Sequence, residues 1–146
     1  MQITRQAEYA IRIMLELASL EKNEVTQNKI IADRRKIPDH FLQKTIQVLV
    51  RNGMAKTRRG AMGGVQLACS PESVTLIDII RAVEGEINIS PCLAGSYYCG
   101  NKEKCQVTII FQRAQERMLE ELSKETLAEL SRADHLNQIV CMAETD

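Results

Sequence analysis

The segment IPDHFLQKTIQVLVRNGMAKTRRGAMGGVQL, residues 37–67, carries a helical pattern followed by a hairpin pattern. Four apolar residues of this segment share one helix face, and they are Leu42, Ile46, Leu49 and Val50. This helix is predicted to begin near Pro38, since proline is favoured in a first turn, and to end at Asn52–Gly53. Two short strands, 54–58 and 64–68, flank a glycine-rich tip that suits a tight turn. A helix followed by a hairpin predicts the reading helix and wing of a winged helix-turn-helix.

Two further helices are predicted before this segment. The apolar positions of the first recur at helical spacing, and they are Ala7, Ala10, Ile11, Met14, Leu17 and Ala18. This helix runs from Thr4, its predicted N-cap, to Leu20. Thr26 is predicted to cap a second, short helix that ends in the basic cluster at 34–36.

A fourth helix is predicted to run from a capping-box-like start at 75–78 to Gly85. From Glu86 to Lys104 the periodicity is lost, which predicts an irregular loop. A long final helix presents an apolar stripe made of Val107, Ile110, Phe111, Ala114, Met118, Leu119 and Leu122. Because the small N-terminal domain is already complete, we expect a second copy of the chain to cover this stripe.

The predicted fold is mainly α with a small β wing, a winged helix-turn-helix followed by a long dimerisation helix. We expect the DNA-binding domain at residues 1–85, a cysteine-rich loop that binds the cofactor at 86–106, and the dimerisation helix with its tail at 107–146. A chain of 146 residues is too short for a large multidomain enzyme.

Zero net charge conceals two halves of opposite sign. Residues 1–70 contain 12 Lys and Arg against 6 Asp and Glu, whereas residues 71–146 contain 7 against 13. A basic half of this kind is typical of proteins that bind polyanions. The chain has no apolar run long enough to span a membrane and no signal-peptide pattern at its start, so we expect a cytoplasmic protein.

The outer face of the predicted reading helix is polar. Side chains of this kind can hydrogen-bond base edges in the major groove, and arginines on a wing can reach the backbone or a narrow minor groove. The predicted DNA contacts are Thr4, Lys29, His40, Gln43, Lys44, Gln47, Arg51, Arg58, Arg59 and Gly60. A two-fold dimer would read two half-sites, which predicts an imperfect palindrome in double-stranded DNA. The alternative is an ordinary solvated helix face and an ordinary turn.

Cys92, Cys99 and Cys105 lie in the irregular loop with six and five residues between them. Soft thiolates favour an iron–sulfur cluster, zinc or cuprous copper, and zinc sites more often use closer pairs. Unconnected thiols, or a regulatory disulfide, remain alternatives. A thiol enzyme or electron carrier is disfavoured, because the sequence has no Cys-x-x-Cys, no Gly-rich phosphate loop and no His-Glu-x-x-His.

Four motifs carry a resemblance to a known family: MQITR at 1–5 followed by EYA at 8–10, RGAMGGV at 59–65, LIDIIRAVEG at 76–85, and the three-cysteine loop. Over residues 1–125 the chain resembles the Rrf2 family of bacterial regulators, which includes IscR, NsrR and RirA. The resemblance implies a homodimeric winged-helix transcription factor, not an enzyme. It also implies that the cysteines bind an iron–sulfur cluster, 2Fe–2S in preference to 4Fe–4S, whose state changes DNA affinity or operator choice.

The sequence lacks the fourth cluster ligand that one branch of the family has. Cluster-biogenesis regulators place a histidine just after the third cysteine, whereas the sequence QVT follows Cys105. In other branches a carboxylate near the N-terminus of the partner subunit completes the site, and Glu8 stands at the matching position. An exposed surface acid is the alternative role for Glu8. Further candidate ligands are Glu103, His40 and His135.

The expected function is a cluster-sensing DNA-binding regulator that controls iron–sulfur cluster biogenesis, as in IscR-like members. The alternatives are a nitric-oxide-responsive or iron-responsive repressor of the same family, or a redox thiol regulator without a cluster. Family branches that regulate cysteine metabolism without a cofactor lack the cysteine loop, which distinguishes them from this sequence.

Overall fold

The protein, seen here as a computed structural model, is described over residues 2–143, with side chains over residues 2–135. The chain order of its main elements is α1 Arg5–Ala18, α2 Asn28–Arg35, α3 Asp39–Arg51, β1 Ala55–Arg58, β2 Gly64–Leu67, α4 Leu76–Glu84, α5 Gln106–Glu121 and α6 Leu127–Ala143. Two short 3-10 turns, Pro91–Leu93 and Lys102–Lys104, lie between α4 and α5. The predicted mainly α fold with a small β wing is confirmed.

Helix α1 forms the centre of the core and packs against α2, α3, α4 and α6. Ala10, Ile13 and Met14 on this helix are fully buried, and the fully buried Leu42 and Leu49 of α3 belong to the same cluster. Thr4 caps α1 as predicted, because its hydroxyl accepts a hydrogen bond from the Ala7 N–H at 3.2 Å. The core therefore holds the reading helix against α1 through apolar side chains on its inner face.

Thr26 does not cap α2, contrary to the sequence prediction. Gln27 occupies the N-cap position, while Thr26 forms an isolated β-bridge with Val65 of the wing. The Thr26 N–H donates to the Val65 carbonyl at 2.9 Å, and the Val65 N–H donates to the Thr26 carbonyl at 2.8 Å. The bridge therefore joins the chain before α2 to the second strand of the wing, a long-range contact that a local capping rule cannot detect.

The buried face of α3 also differs from the prediction at one position. Val50 is 37% exposed, and Thr45 is fully buried in its place beside Leu42, Ile46 and Leu49. The Thr45 hydroxyl donates to the Phe41 carbonyl at 2.7 Å, so a buried threonine leaves no unsatisfied donor. The inner face of α3 therefore contains Thr45 and not Val50.

The wing is a two-stranded antiparallel hairpin in which Ala55 pairs with Leu67 and Arg58 pairs with Gly64. A Cβ atom on Gly64 would lie 2.1 Å from the Thr26 carbonyl oxygen, so glycine is required where the wing meets the chain before α2. This close approach explains the glycine that directly precedes Val65 in the motif at 59–65.

Helix α6 returns to the N-terminal domain. Leu127, at its start, is fully buried in the main core, and its N–H donates to the Val74 carbonyl at 2.6 Å. The Ile77 N–H donates to the Leu122 carbonyl at 3.1 Å, which joins the start of α4 to the end of α5. The division of the chain at residues 85 and 106 stays a prediction.

Replacing Gly64 by Ala is expected to lower the free energy of unfolding by about 1 to 3 kcal/mol, because the new methyl group would overlap the Thr26 carbonyl. Urea denaturation followed by circular dichroism measures the change. Gly95→Ala is the matched control, since nothing lies within 4 Å of a Cβ at that position, and its effect should stay within about 0.5 kcal/mol. Equal stability of the two variants would contradict the proposed role of Gly64.

Candidate nucleic-acid interface and cysteine loop

The outer face of α3 carries the five polar residues that the sequence assigned to DNA reading. All five side chains are exposed, and they are His40, Gln43, Lys44, Gln47 and Arg51. The His40 ring lies 4.2 Å from the Phe41 ring, centroid to centroid, at the N-terminal end of this face. The structure thus brings the predicted side chains to one solvent-facing surface, and their contact with DNA stays a prediction.

A tight turn joins α2 to α3. Lys36 adopts a left-handed conformation with φ of 54°, and the buried Ile37 donates its N–H to the Ala32 carbonyl at 3.0 Å. These contacts hold the turn so that α3 begins directly after Pro38. Lys29, another predicted DNA contact, lies exposed on the first turn of α2.

The three wing residues predicted to contact DNA are Arg58, Arg59 and Gly60, and all three are exposed. Gly60 has φ of 107°, a conformation that favours glycine. Within residues 2–135, neither wing arginine forms an ion pair, and the same holds for Lys29, Lys44 and Arg51. These cations therefore have no competing protein carboxylate to displace before they meet a phosphate.

Two arginines of the basic cluster at 34–36 behave differently. Arg35 is nearly buried, and its Nε donates to the Glu16 carboxylate at 2.7 Å while its terminal nitrogen donates to Asp134 at 2.8 Å. The Arg34 guanidinium donates to the other oxygen of Glu16 at 2.9 Å. Both guanidinium groups pair with the buried Glu16 carboxylate, although the Arg34 side chain itself is 62% exposed, so the sequence count overstates the positive charge available to DNA.

Thr4, the other predicted DNA contact, lies at a junction of three segments. It caps α1, and its N–H and hydroxyl both donate to the carboxylate of Glu84, the last residue of α4. The cysteine loop begins two residues after Glu84. The N-terminus of α1, the end of α4 and the start of the loop are therefore held together.

Two of the three loop cysteines lie on segments attached to α5. Cys92 lies on the 3-10 turn Pro91–Leu93, which packs against α5, and the Ile89 N–H just before it donates to the Gln115 side chain at 2.9 Å. Cys105 is the N-cap residue of α5. Cys99 lies between them on an exposed segment.

Hydrogen bonds from neighbouring residues shift the pKa of the Cys105 thiol below its ordinary value. Hydrogen bonds from the Thr108 side chain, then from the Thr108 and Val107 backbone, lower the pKa of Cys105. In contrast, burial raises the pKa of Cys69, a half-buried thiol at the edge of the core. Cys105 is thus the better prepared of the two to act as a soft anionic ligand.

Among the described residues, no three His, Cys, Asp or Glu side chains lie together in a way that could hold a metal ion. Cys92, Cys99 and Cys105 are free thiols, so the donor set itself suits a soft metal centre even though one copy of the chain does not assemble it. Glu8 forms an ion pair with Arg12, one turn later on α1, and its side chain is 42% exposed. The other candidate ligands, Glu103, His40 and His135, lie exposed.

The N-terminal part of the apolar stripe of α5 is exposed in the described chain. Val107, Ile110 and Phe111 are exposed, and so is Ile109 beside them. An apolar helix face of this size in water is unfavourable and typical of an interface. Met118, Leu119 and Leu122, near the end of the stripe, are half-buried against the same chain.

Sequence reasoning gave no role to two apolar side chains that the structure leaves in solvent. Met62 at the wing tip is 88% exposed, and Tyr98 next to Cys99 is 91% exposed. For Met62, the feature of the sequence that could have indicated a role was a large apolar residue within a glycine-rich turn.

Over the described residues, no helix combines the length and apolar character that crossing a bilayer requires.

The sequence profile of the Rrf2 family, whose description is "Iron-dependent Transcriptional regulator", matches residues 3–133. The chain is 33% identical over 131 residues to the HTH-type transcriptional regulator NsrR of Geobacillus kaustophilus, and the match covers 89% of each protein.

Two solved structures share the fold. CymR, the global cysteine regulator of B. subtilis, matches with a TM-score of 0.70 at 28% identity, over 91% of this chain and 98% of that one. IscR of T. potens matches with a TM-score of 0.70 at 25% identity, over 92% and 88%. The profile and these matches support the winged-helix interpretation of α2, α3 and the hairpin. The chain belongs to the Rrf2 family, and it is a non-enzymatic transcriptional regulator.

Proposed function

We propose that this protein acts in the cytoplasm as a homodimeric regulator that binds a palindromic operator and whose affinity depends on an iron–sulfur cluster held by Cys92, Cys99 and Cys105. The observation that carries the proposal is the position of the cysteine loop. It connects the end of α4, which holds the N-cap of α1, to the start of α5, whose apolar face is exposed. A ligand bound there acts on the DNA-reading domain and on the dimer helix together.

The DNA-binding part rests on exposed cations that form no ion pair within residues 2–135. Lys44 and Arg51 lie on the outer face of α3, and Arg58 and Arg59 lie on the wing. A helix of this polarity fits the major groove, with the wing following the adjacent backbone. Two copies related by the α5 face would present two such surfaces, which supports a two-fold operator.

The cofactor part rests on the chemistry of the donors. Three free thiols within fourteen residues, one of them with a lowered pKa, suit soft iron better than magnesium or calcium. When bound, a cluster would supply a centre sensitive to oxidants, iron supply and nitric oxide. Glu8 is proposed as the fourth ligand across the dimer, which requires its carboxylate to leave the ion pair with Arg12.

The residues of this chain provide a route from the loop to the DNA-reading surface. Cys105 begins α5, and Gln115 on the same helix holds the backbone just before Cys92. At the other end of the loop, Glu84 accepts hydrogen bonds from Thr4. Ordering of the loop therefore constrains the start of α1 relative to α5, and a coupling of about 1 to 3 kcal/mol would change operator affinity about 5- to 150-fold.

A redox thiol regulator without a cluster is the second candidate. It is favoured by the exposed position of Cys99 and by the absence, within residues 2–135, of a preassembled metal site. The two candidates differ in iron content, which the next experiment measures. Among cluster-based functions, the missing histidine after Cys105 favours a nitric-oxide-responsive or iron-responsive repressor over control of cluster biogenesis.

Anaerobically purified protein is expected to be coloured and to contain iron and acid-labile sulfide. Replacing Cys92, Cys99 or Cys105 by Ser should remove most of the visible absorption, because each change removes one soft ligand. Cys69→Ser is the matched control and should keep the colour, since Cys69 lies outside the loop. Colourless, iron-free wild-type protein would contradict the cluster and favour the thiol regulator, whereas bound zinc would contradict both.

Replacing Glu8 by Ala is expected to shorten the lifetime of the visible absorption in air by several fold, because it removes the proposed oxygen ligand. Arg12→Ala breaks the same ion pair but leaves the carboxylate, so its cluster should last at least as long as that of the wild type. Absorption decay after exposure to air measures both variants. Equal decay of Glu8→Ala and wild type would reject Glu8 as the ligand.

Operator affinity is expected to fall steeply with salt, because each neutralised phosphate contributes about −0.9 to the slope of log affinity against log salt concentration. Arg59→Gln should make this slope less negative by about 1.8 in a dimer, since one phosphate contact is lost on each wing. Lys124→Gln is the control, because that lysine already pairs with Glu121 at the end of α5. Fluorescence anisotropy with a duplex selected from a randomised pool measures the slopes, and a wild-type slope near zero would reject the DNA-binding proposal.

A further inference from the structure

The wing ends in a short turn with a defined shape. The Gly63 N–H donates to the Gly60 carbonyl at 3.0 Å, which closes a four-residue turn whose apex is Ala61 and Met62. A Cβ on Gly63 would lie 2.2 Å from the Arg58 carbonyl oxygen, so the turn is tightly packed on its inner side. The closed turn therefore holds Met62 at the end of the hairpin that is farthest from the core.

Met62 contributes almost nothing to the stability of the chain that holds it. Its side chain is 88% exposed, the largest exposed fraction of any large apolar residue in the winged helix-turn-helix. Single exposed apolar residues are common on protein surfaces and need no special role. This one lies three and four residues after Arg59 and Arg58, two cations without ion pairs on a hairpin that the proposed function directs towards DNA.

The minor groove offers surfaces that match this arrangement. Its walls consist of sugars and phosphates, its floor consists of base edges, and its negative potential attracts arginine. Apolar side chains, methionine among them, can insert between base steps of the minor groove and partly unstack them. Methionine is unbranched and flexible, so it can adapt to a narrow space between arginines that hold the phosphates.

We propose that Met62 is a specificity residue of the wing, whose side chain packs into the minor groove and favours a pyrimidine–purine step there. These steps are preferred because they are the most easily unstacked. The proposal rests on the DNA-binding function proposed above. The two wings of a dimer then read sequence at the outer ends of the operator, beyond the bases that α3 reaches.

Two variants with side chains of similar size distinguish an apolar contact from an effect of side-chain size alone. Met62→Leu keeps an apolar side chain, whereas Met62→Gln has nearly the same length but is polar. Both changes lie on the exposed tip, where no core contact is lost. Duplexes are selected from a randomised pool by the wild type and by each variant. The wild-type duplex is then labelled with 2-aminopurine at the step under the wing, so that unstacking raises the fluorescence.

The wild type and Met62→Leu are expected to enrich TA or CA steps at the flanks and to raise the 2-aminopurine fluorescence. Met62→Gln should bind about tenfold more weakly, because the apolar contact is replaced by a polar group that loses water. It should also lose the flanking preference, while its salt slope stays at the wild-type value since no charge changes. This unchanged slope distinguishes Met62 from Arg59.

Equal flanking preference and equal fluorescence for Met62→Gln and wild type would overturn the role of Met62 and leave the DNA-binding proposal intact. A loss of affinity shared by Met62→Leu and Met62→Gln, without any fluorescence increase in the wild type, would also overturn it. Failure of the wild type to select any duplex would overturn the proposed function itself.

Discussion

The carboxylate of Glu16 is the charged group on which the DNA-binding domain depends. Its side chain is 4% exposed, and its two oxygens accept hydrogen bonds from Arg34 and Arg35. A buried carboxylate with both oxygens occupied can be tolerated, whereas removal of one partner of such a pair costs about 3 to 5 kcal/mol. Since Arg35 also binds Asp134, this one cluster joins α1, α2 and α6. The turn into α3 follows directly, so the cluster positions the reading helix.

This arrangement divides the positive charge of the N-terminal half into two kinds. Arg34 and Arg35 pair with the buried Glu16 carboxylate, while Lys44, Arg51 and the wing arginines are exposed and form no ion pair within the part of the chain whose side chains the structure describes. The first kind stabilises the domain and the second kind is available to a polyanion. The same residue types therefore serve stability or binding according to whether a buried carboxylate lies nearby.

The cysteine loop is attached at both ends and exposed in the middle. Gln115 and the N-terminus of α5 hold the segments that carry Cys92 and Cys105, whereas Cys99 lies on the exposed stretch between them. In the proposed function, binding of the cofactor changes the order of this loop. The hydrogen bonds between Thr4 and Glu84 then connect this change to the start of α1.

The sequence by itself determined the features that depend on neighbouring residues. The helices follow from apolar periodicity, the Thr4 cap from local hydrogen bonding, and the wing from its glycines. The exposed polar face of α3 was also readable, because helical spacing alone places those side chains together. The same local rules located the three cysteines in an irregular loop, but they left the identity of its ligand open.

Only the tertiary structure decided the features that depend on contacts between residues far apart in the sequence. Thr26 pairs with Val65 instead of capping α2, and Thr45 takes the inner position expected for Val50. In the first case a long-range backbone pair replaced the local capping hydrogen bond, and in the second case packing against the core selected Thr45 over Val50. No local pattern contains these choices, because the competing contacts come from parts of the chain that meet only in the folded protein.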